Sequence, residues 1–155
     1  MNLLTKLTSS TAPNAVLLIR LMVGAVLLSE GIQKFLFPAD IGAGRFAKIG
    51  LPSPEFLGPF VGSFEIACRT LVLLGLLTRF AVIPLLTIMA VALYSTKLPI
   101  LLKSGFWKMA HEARTDFSMV MGSLLLLIIG AGAWSVDAWL NKRAAQHDRS
   151  PVNKP

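Results

Sequence analysis

The sequence has little of the residues that build metal and redox sites. Its 155 residues include one cysteine, Cys68, and two histidines, His111 and His147, which are far apart in the chain. A lone cysteine excludes an internal disulfide bond and a C-x-x-C redox motif, and two separated histidines do not supply the ligand set of a zinc site. The sequence therefore predicts no metal site that this chain builds alone.

Charged residues are also scarce, at 15% of the chain, whereas 54% of the residues are hydrophobic. That composition is far more apolar than an ordinary soluble domain. The formal net charge of +7 could indicate a nucleic-acid partner, but the lysines and arginines lie in loops and at the ends of apolar runs. Contact with anionic lipid headgroups explains this placement, so we expect an integral membrane protein that contacts the lipid bilayer and binds no nucleic acid.

Four apolar runs are about long enough to cross a bilayer as helices. They are separated by a Gly- and Pro-rich segment, a tight turn and a polar segment. The predicted fold is all-α, an antiparallel four-transmembrane-helix bundle formed by residues 1–140, with residues 141–155 as a basic, disordered tail. The predicted spans are residues 15–37, 57–77, 80–102 and 117–133.

The segment between the first two spans, residues 37–55, is rich in glycine and proline and breaks the helix. Its apolar residues Ile41, Phe46, Ile49 and Leu51 allow it to lie on or dip into the membrane surface. A nucleotide-binding glycine loop would follow a strand and open a βαβ unit, and neither is indicated here. We interpret the segment as a lid at one end of the bundle.

The second predicted span carries two charges inside its apolar run. Glu65 and Arg69 are four residues apart and so share one helix face, which continues through Gly62 and Gly58. An ionised side chain deep in a bilayer faces protein or a water-filled cavity, and small residues four apart let a neighbouring helix approach closely. This face is therefore predicted to point into the bundle.

Charged residues of the other spans are expected to meet this face at two depths. At a rise of about 1.5 Å per residue, Arg20 of the first span lies at a depth similar to that of Glu65 and Arg69, which predicts a mid-depth cluster of these three residues. Nearer the opposite surface, a second cluster forms a mouth. Its predicted members are Glu30, Lys34, His111, Glu112, Arg114 and Asp116.

Two interpretations of the mid-depth cluster stay open. A buried ion pair can fix the register of neighbouring helices, whereas intramembrane ionisable groups also mark head-group sites and proton pathways. Charges at the mouth are more readily explained by contact with water. The catalytic candidate is Glu65, and the candidate ligand-binding residues are Arg20, Glu30, Lys34, Arg69, Asp116 and, from the polar stripe of the third span, Tyr94.

Several short motifs follow one another between about residues 16 and 140. They are Arg20, Gly31-Ile32-Gln33-Lys34, Ile49-Gly50-Leu51-Pro52, Glu65, Leu74-Gly75-Leu76-Leu77-Thr78-Arg79 and Gly130-Ala131-Gly132-Ala133-Trp134-Ser135-Val136-Asp137. This pattern resembles the DoxX family of small four-helix membrane proteins. The chain departs from it where Cys68-Arg69 replaces glycines that often occur in pairs shortly after the glutamate.

The resemblance implies a subunit linked to quinone-dependent oxidoreductases. Members of the family are described as partners in thiosulfate:quinone oxidoreductase and in membrane-associated assemblies that handle thiols and peroxide stress. The resemblance does not bring an agreed catalytic set. Arg20, Lys34, Glu65 and Asp137 are therefore carried over only as positions of the family pattern.

The leading hypothesis is a membrane subunit whose bundle interior holds a quinone or relays protons, while a soluble or membrane oxidoreductase partner supplies the redox cofactor. Quinone reduction in an apolar setting needs a proton donor near the carbonyl oxygens and cations beside the negative charge that develops. Glu65 fits the donor, with Arg20 and Arg69 beside it. We expect no covalently bound cofactor, and the sequence leaves open whether the chain is itself an enzyme.

Two other functions are compatible with the sequence. A non-catalytic scaffold or carrier of hydrophobic cargo is favoured by the absence of a cofactor motif, and a small-solute pore would require a homo-oligomer because four helices enclose little space. We expect a multi-pass protein of the cytoplasmic membrane with both termini on the same, cytoplasmic side. Lys and Arg are divided almost equally between the two ends of the bundle, so the positive-inside rule does not orient it.

Overall fold

The computed structural model describes residues 14–148, with side chains up to residue 146, and every regular element in that range is a helix. The all-α prediction is therefore confirmed for this part of the chain. The elements are α1 (Val16–Leu36), α2 (Ala43–Lys48), α3 (Pro54–Leu74), α4 (Thr78–Ala92), a π-helical turn (Leu93–Lys97), α5 (Leu98–Ser104), α6 (Phe106–Ile129) and α7 (Val136–Asp148).

Three stretches of the described chain are long and apolar enough to cross a membrane. Two are α1 and α3, and the third is Thr78–Ser104, which joins α4, the π-helical turn and α5. Their bounds lie within a few residues of the predicted first, second and third spans.

The fourth predicted span, residues 117–133, differs from the helix that the structure shows. Helix α6 begins at Phe106, so the polar segment expected to be a loop is helical, and it ends at Ile129. The apolar part from residue 117 to residue 129 is roughly 20 Å long at 1.5 Å per residue, which is less than a hydrocarbon core of about 30 Å. A fourth crossing stays a prediction.

Four helices enclose a common apolar core. Helix α1 packs along α3, α3 against α4, α4 against α6, and α6 against α1. Each contributes a side chain with no exposed surface: Val23, Val72, Val82 and Leu126, respectively. Cys68 belongs to the same core, so the single cysteine fills apolar space.

The outer faces of these helices remain apolar. Only 33% of the most apolar part of α1 and of α3 is buried, and 11% of that of Thr78–Ser104. Large apolar side chains such as Leu18, Ile83 and Ile128 are at least half exposed. An apolar surface of this extent is unusual for a soluble monomer and is what acyl chains solvate in a bilayer.

Helix α3 begins and ends at residues that the local sequence dictates. Pro54 occupies its first turn, where a missing N–H has no consequence. At its other end Gly75 has a φ of 68°, and the N–H groups of Gly75 and Leu76 donate to the carbonyls of Val72 and Leu71, which is a Schellman motif. The chain reverses there, and α4 begins at Thr78.

The C-terminal segment differs in part from its prediction. Residues 141–155 were expected to be a disordered tail, but α7 continues to Asp148, so residues 141–148 are helical. The rest of that segment, residues 149–155, lies outside the described residues. The amphipathic Trp139 in α7 is half exposed, with the guanidinium of Arg143 3.9 Å from the centre of its ring.

Candidate functional site

A cavity of about 320 Å³ lies between α1, α3, α4 and the segment that carries α2. Its volume is at the lower end of the range for small-molecule pockets. The four apolar residues assigned to a lid, Ile41, Phe46, Ile49 and Leu51, all line it. By surface area, most of the wall as a whole is apolar. Its charged residues are Glu30, Lys34, Arg45, Glu65, Arg69 and Asp116.

Three of these charged side chains form a buried group, which we name the cavity cluster: Lys34, Glu65 and Arg69. Glu65 Oε2 accepts a hydrogen bond from Lys34 Nζ at 2.5 Å, and its Oε1 lies 3.0 Å from Arg69 Nη2. The side chains are 9%, 3% and 1% exposed, respectively. One carboxylate is therefore placed between two cations at the inner wall of the cavity.

Small residues make this arrangement possible. Helices α1 and α3 approach so closely that a Cβ on Gly31 would lie 3.2 Å from Glu65 Cβ and 3.3 Å from Arg69 Nη1. On α3, a Cβ on Gly62 would lie 2.8 Å from the ring of Phe35. A Cβ on Gly58 would lie 2.8 Å from the backbone nitrogen of Ala43, so the prediction that the glycines of α3 admit a neighbouring backbone is confirmed. The close approach of α1 and α3 explains how Lys34 reaches the next helix.

The cavity cluster leaves hydrogen-bond donors without acceptors. Arg69 Nε and Nη1 are buried and have no partner among the described residues, and an unpaired buried donor costs about 1–3 kcal/mol. Lys34 carries three donors, of which one meets Glu65. Cations with unused donors beside an apolar cavity can bind a ligand oxygen.

Arg20 does not join this group, so the predicted mid-depth cluster of Arg20, Glu65 and Arg69 is wrong in one member. Its Nε donates to Val72 O at 2.9 Å and its Nη2 to Leu73 O, while Nη1 donates to the carbonyls of Ala131 and Trp134. The last carbonyls of a helix have no intrahelical partner and carry partial negative charge. Arg20 is held by the end of α3, and Lys34 takes its place beside Glu65.

Asp137 completes this second polar group, which we name the Arg20 node: Arg20, Gly75 and Asp137. The carboxylate of Asp137 accepts hydrogen bonds from the N–H groups of Leu77 and Thr78, at the start of α4, and its own N–H donates to Gly75 O. Burial raises the pKa of Asp137, and the two N–H groups and Arg20 oppose that rise. The node fastens α7 to the turn between α3 and α4.

The predicted mouth divides into two parts. Glu30 and Asp116 line the cavity together with Lys34, and Asp116 Oδ2 lies 3.1 Å from Lys97 Nζ. His111, Glu112 and Arg114 lie on the exposed first half of α6 and do not line the cavity. Because that half is helical, their side chains follow the α6 periodicity and are not gathered at the bundle end.

The candidate Tyr94 lies outside the cavity, with 72% of its surface exposed. Instead Ser95 and Thr96, which the sequence did not single out, line the wall. These residues belong to the π-helical turn, which holds more residues per turn than an α-helix. An α-helical stripe counted from Thr87 to Lys97 therefore assigns the wrong side chains to the interior, and no sequence signal marked the π turn.

Comparison with known proteins now places the chain. The sequence model of the DoxX family matches residues 15–98, more than half of the chain. The chain belongs to the DoxX family. The matched part of this DoxX protein holds the whole cavity cluster and Arg20, while Asp116 and Asp137 follow it.

One relative is similar over nearly its whole length. "Uncharacterized membrane protein Rv3486" of Mycobacterium tuberculosis (strain ATCC 25618 / H37Rv) is 51% identical over 145 residues, which is 90% of this chain and 89% of the relative. The chain is therefore a membrane protein of the DoxX family. No solved structure matches it.

Proposed function

We propose that this DoxX protein is the membrane subunit of a quinone-linked oxidoreductase and that its cavity receives the quinone head group. The observation that supports this proposal is the cavity cluster: two buried cations around one carboxylate, at the inner wall of an apolar cavity. A bound quinone supplies the capacity to accept two electrons and two protons. The redox cofactor would belong to a partner protein.

The donors of the cavity cluster suit such a head group. A quinone is a neutral, apolar ring with carbonyl oxygens that accept hydrogen bonds. Lys34 and Arg69 hold donors that the described residues leave unused. Cationic donors fixed in a water-poor site stabilise negative charge that develops on an oxygen. Lys34 and Arg69 would therefore hold the carbonyl oxygen and lower the cost of charging it.

Glu65 is the candidate for proton exchange at that oxygen. The sequence assigned it this role with Arg20 and Arg69 beside it, and the structure places Lys34 and Arg69 there instead. After Glu65 gives up its proton, the carboxylate can be reprotonated through the hydrogen bond that Lys34 Nζ donates to Glu65 Oε2. Glu30 is exposed and lines the same cavity, so it can exchange protons with water at the mouth.

The proposal includes the placement of the chain in the membrane. Helices α1 and α3, the stretch Thr78–Ser104 and the apolar half of α6 would cross as an antiparallel bundle, with both termini on the cytoplasmic side of the cytoplasmic membrane. The first half of α6 would then project beyond the hydrocarbon core, which agrees with its polar and exposed residues. That surface is available to an oxidoreductase partner.

The test is the quinone content of the purified full-length protein. We expect about one quinone per chain after gentle extraction from native membranes, and a loss of most of it in Lys34→Gln and Arg69→Gln, because each replaces a cationic donor with a shorter, neutral amide. Arg114→Gln is the control, since Arg114 is exposed and lies outside the cavity. Lipid extraction and absorbance spectroscopy give the quinone-to-protein ratio.

Activity with a co-purified partner tests the role of Glu65. A mild-detergent pull-down identifies the partner, and Glu65→Gln is expected to lower quinone reduction by the pair at least tenfold while the variant still folds. Full activity of folded Glu65→Gln would remove this role. Wild-type protein that carries no more quinone than an unrelated membrane protein would contradict quinone binding altogether.

A carrier of hydrophobic cargo is the second candidate, because most of the cavity wall is apolar. The same lipid extract separates the two functions. A lipid or other apolar molecule in stoichiometric amount, with no quinone, would favour the carrier. Quinone in that amount would favour the oxidoreductase subunit.

A further inference from the structure

The rim of the cavity has two chemically different parts. At one part the exposed lining residues are charged, Glu30 and Arg45. At the other they come from the middle of the third candidate span, Thr87 and Val91, and 46% of Val91 is exposed. A rim that is charged at one part and apolar at another indicates two different surroundings.

The depth of Val91 shows what surrounds the apolar part. Val91 lies 13 residues after Thr78 and 13 residues before Ser104 (91 − 78 = 13; 104 − 91 = 13), the ends of that span. At 1.5 Å per residue this is roughly 20 Å from either end. Val91 is also six residues, or roughly 9 Å, before Lys97, which pairs with Asp116 at the polar end of α6, so Val91 lies within a hydrocarbon core of about 30 Å. The exposed side of Val91 therefore faces acyl chains.

The packing of the lid leaves this side of the cavity open. Helix α2 packs against α3, where a Cβ on Gly58 would lie 2.8 Å from the backbone nitrogen of Ala43. No comparable packing joins α2 to α4 within residues 14–148. On the α3 and α4 sides of this gap the lining residues that reach the surface are uncharged, among them Leu57, Val61, Thr87 and Val91, whereas Glu65 and Arg69 of α3 are buried at the inner wall.

We propose that the ligand is an amphiphile whose head group binds at the cavity cluster and whose apolar tail leaves sideways, between α3 and α4 past Val91, into the bilayer. This inference rests on the proposed function and names the class of quinone: one with a hydrocarbon tail, taken up from the lipid. The charged part of the rim stays open to water for protons. The tail and the protons thus use different openings.

Two probe quinones test this inference with the full chain in lipid nanodiscs. One is 2,3-dimethoxy-5-methyl-1,4-benzoquinone, which has no tail, and the other carries a decyl tail on the same ring. Binding is measured as the quinone retained by protein-containing nanodiscs minus that retained by empty nanodiscs of the same lipid. Val91→Trp fills the gap, and Leu102→Trp adds the same ring at a position that is 78% exposed and outside the cavity.

We expect Val91→Trp to weaken binding of the decyl quinone at least tenfold and to leave the tail-less quinone within twofold of wild type. Leu102→Trp should leave both unchanged. The tail-less probe also reports whether the Val91→Trp protein still folds its head-group site. Equal effects of Val91→Trp on the two quinones, or no effect on either, would overturn the sideways path while leaving the quinone site in place. Failure of wild-type protein to bind either probe would overturn the proposed function and this inference with it.

Discussion

Arg20 and Arg69 are both buried guanidinium groups in apolar helices, but their hydrogen bonds differ. Each of the three donor nitrogens of Arg20 has a carbonyl acceptor, and these hydrogen bonds join the end of α3 to the chain after α6. Among the described residues, Arg69 has one hydrogen-bonded partner, Glu65, and two donor nitrogens without acceptors. A fully satisfied buried cation stabilises the fold, whereas one that is left incomplete beside a cavity is available for a ligand.

The largest expected effect is the loss of the Arg20 node. Arg20→Met leaves several buried carbonyls without a donor, so the free energy of unfolding should fall by about 3–5 kcal/mol. Arg20→Lys should recover little of this, because one ammonium group does not reproduce the guanidinium fork. Unfolding in detergent, followed by circular dichroism, measures both variants. A loss no larger than that of the exposed control Arg114→Met would break the comparison.

The next largest effect is expected at Gly75, in the turn between α3 and α4. A Cβ on Gly75 would lie 2.6 Å from Ser135 Cβ and 2.7 Å from Arg20 Cζ, at a φ of 68°, so Gly75→Ala should lower the free energy of unfolding by about 3 kcal/mol. Gly50→Ala is the matched control, since Gly50 has a φ of 76° and open space around it. It should cost only the left-handed strain, about 1–2 kcal/mol. Equal losses of unfolding free energy in Gly75→Ala and Gly50→Ala would mean that Arg20 and Ser135 can move aside without cost.

A smaller loss of stability is expected from the cavity cluster. Arg69→Met removes two donors that already lack acceptors and leaves Glu65 paired with Lys34, so the free energy of unfolding should fall by about 1–2 kcal/mol. The same unfolding measurement applies. If Arg69→Met destabilised the protein more than Arg20→Met does, the division into a structural and a ligand-binding arginine would have to be reversed.

The smallest expected effect is a pH dependence of stability that comes from Asp137 of the Arg20 node. Burial raises the pKa of Asp137, in α7 beyond the candidate spans, from an ordinary value of 3.8. Between the two pKa values the folded chain binds more protons than the unfolded chain, so the stability that this carboxyl contributes is present below its unfolded pKa and is lost as the pH rises through its folded pKa. Unfolding measured at a series of pH values that rise from the unfolded pKa should show this decline. Asp137→Asn should remove it, and an unchanged slope in that variant would assign the decline to other groups.

Much of the candidate site could be predicted from charges placed in apolar runs. Glu65, Arg69 and Lys34 were all identified, because an ionised group in a membrane helix must turn inward to find a partner. Their pairing was predicted less well. Depth along the helices put Arg20 within reach of Glu65. Depth says nothing about rotation around the helix axis or about competing acceptors such as the carbonyls of Val72 and Leu73.

Two predictions along the third and fourth predicted spans fail for different reasons. Tyr94 was assigned to the interior by α-helical periodicity, and the π-helical turn at Leu93–Lys97 breaks that periodicity. Helix α6 begins at Phe106, inside the polar segment that was expected to separate the third and fourth spans, because polar residues are compatible with an exposed helix. Hydropathy locates apolar length, and it does not locate helix ends in a polar surrounding.

The sequence by itself determined that this protein is helical, that its helices belong in lipid, and which buried charges they carry, since hydrophobicity and charge are properties of single residues and short runs. Only the tertiary structure decided which charge meets which partner, and which donors of the described residues are left without an acceptor. Those outcomes depend on contacts between residues far apart in the chain, such as Arg20 with Trp134 or Lys34 with Glu65, whose geometry is fixed when the helices pack.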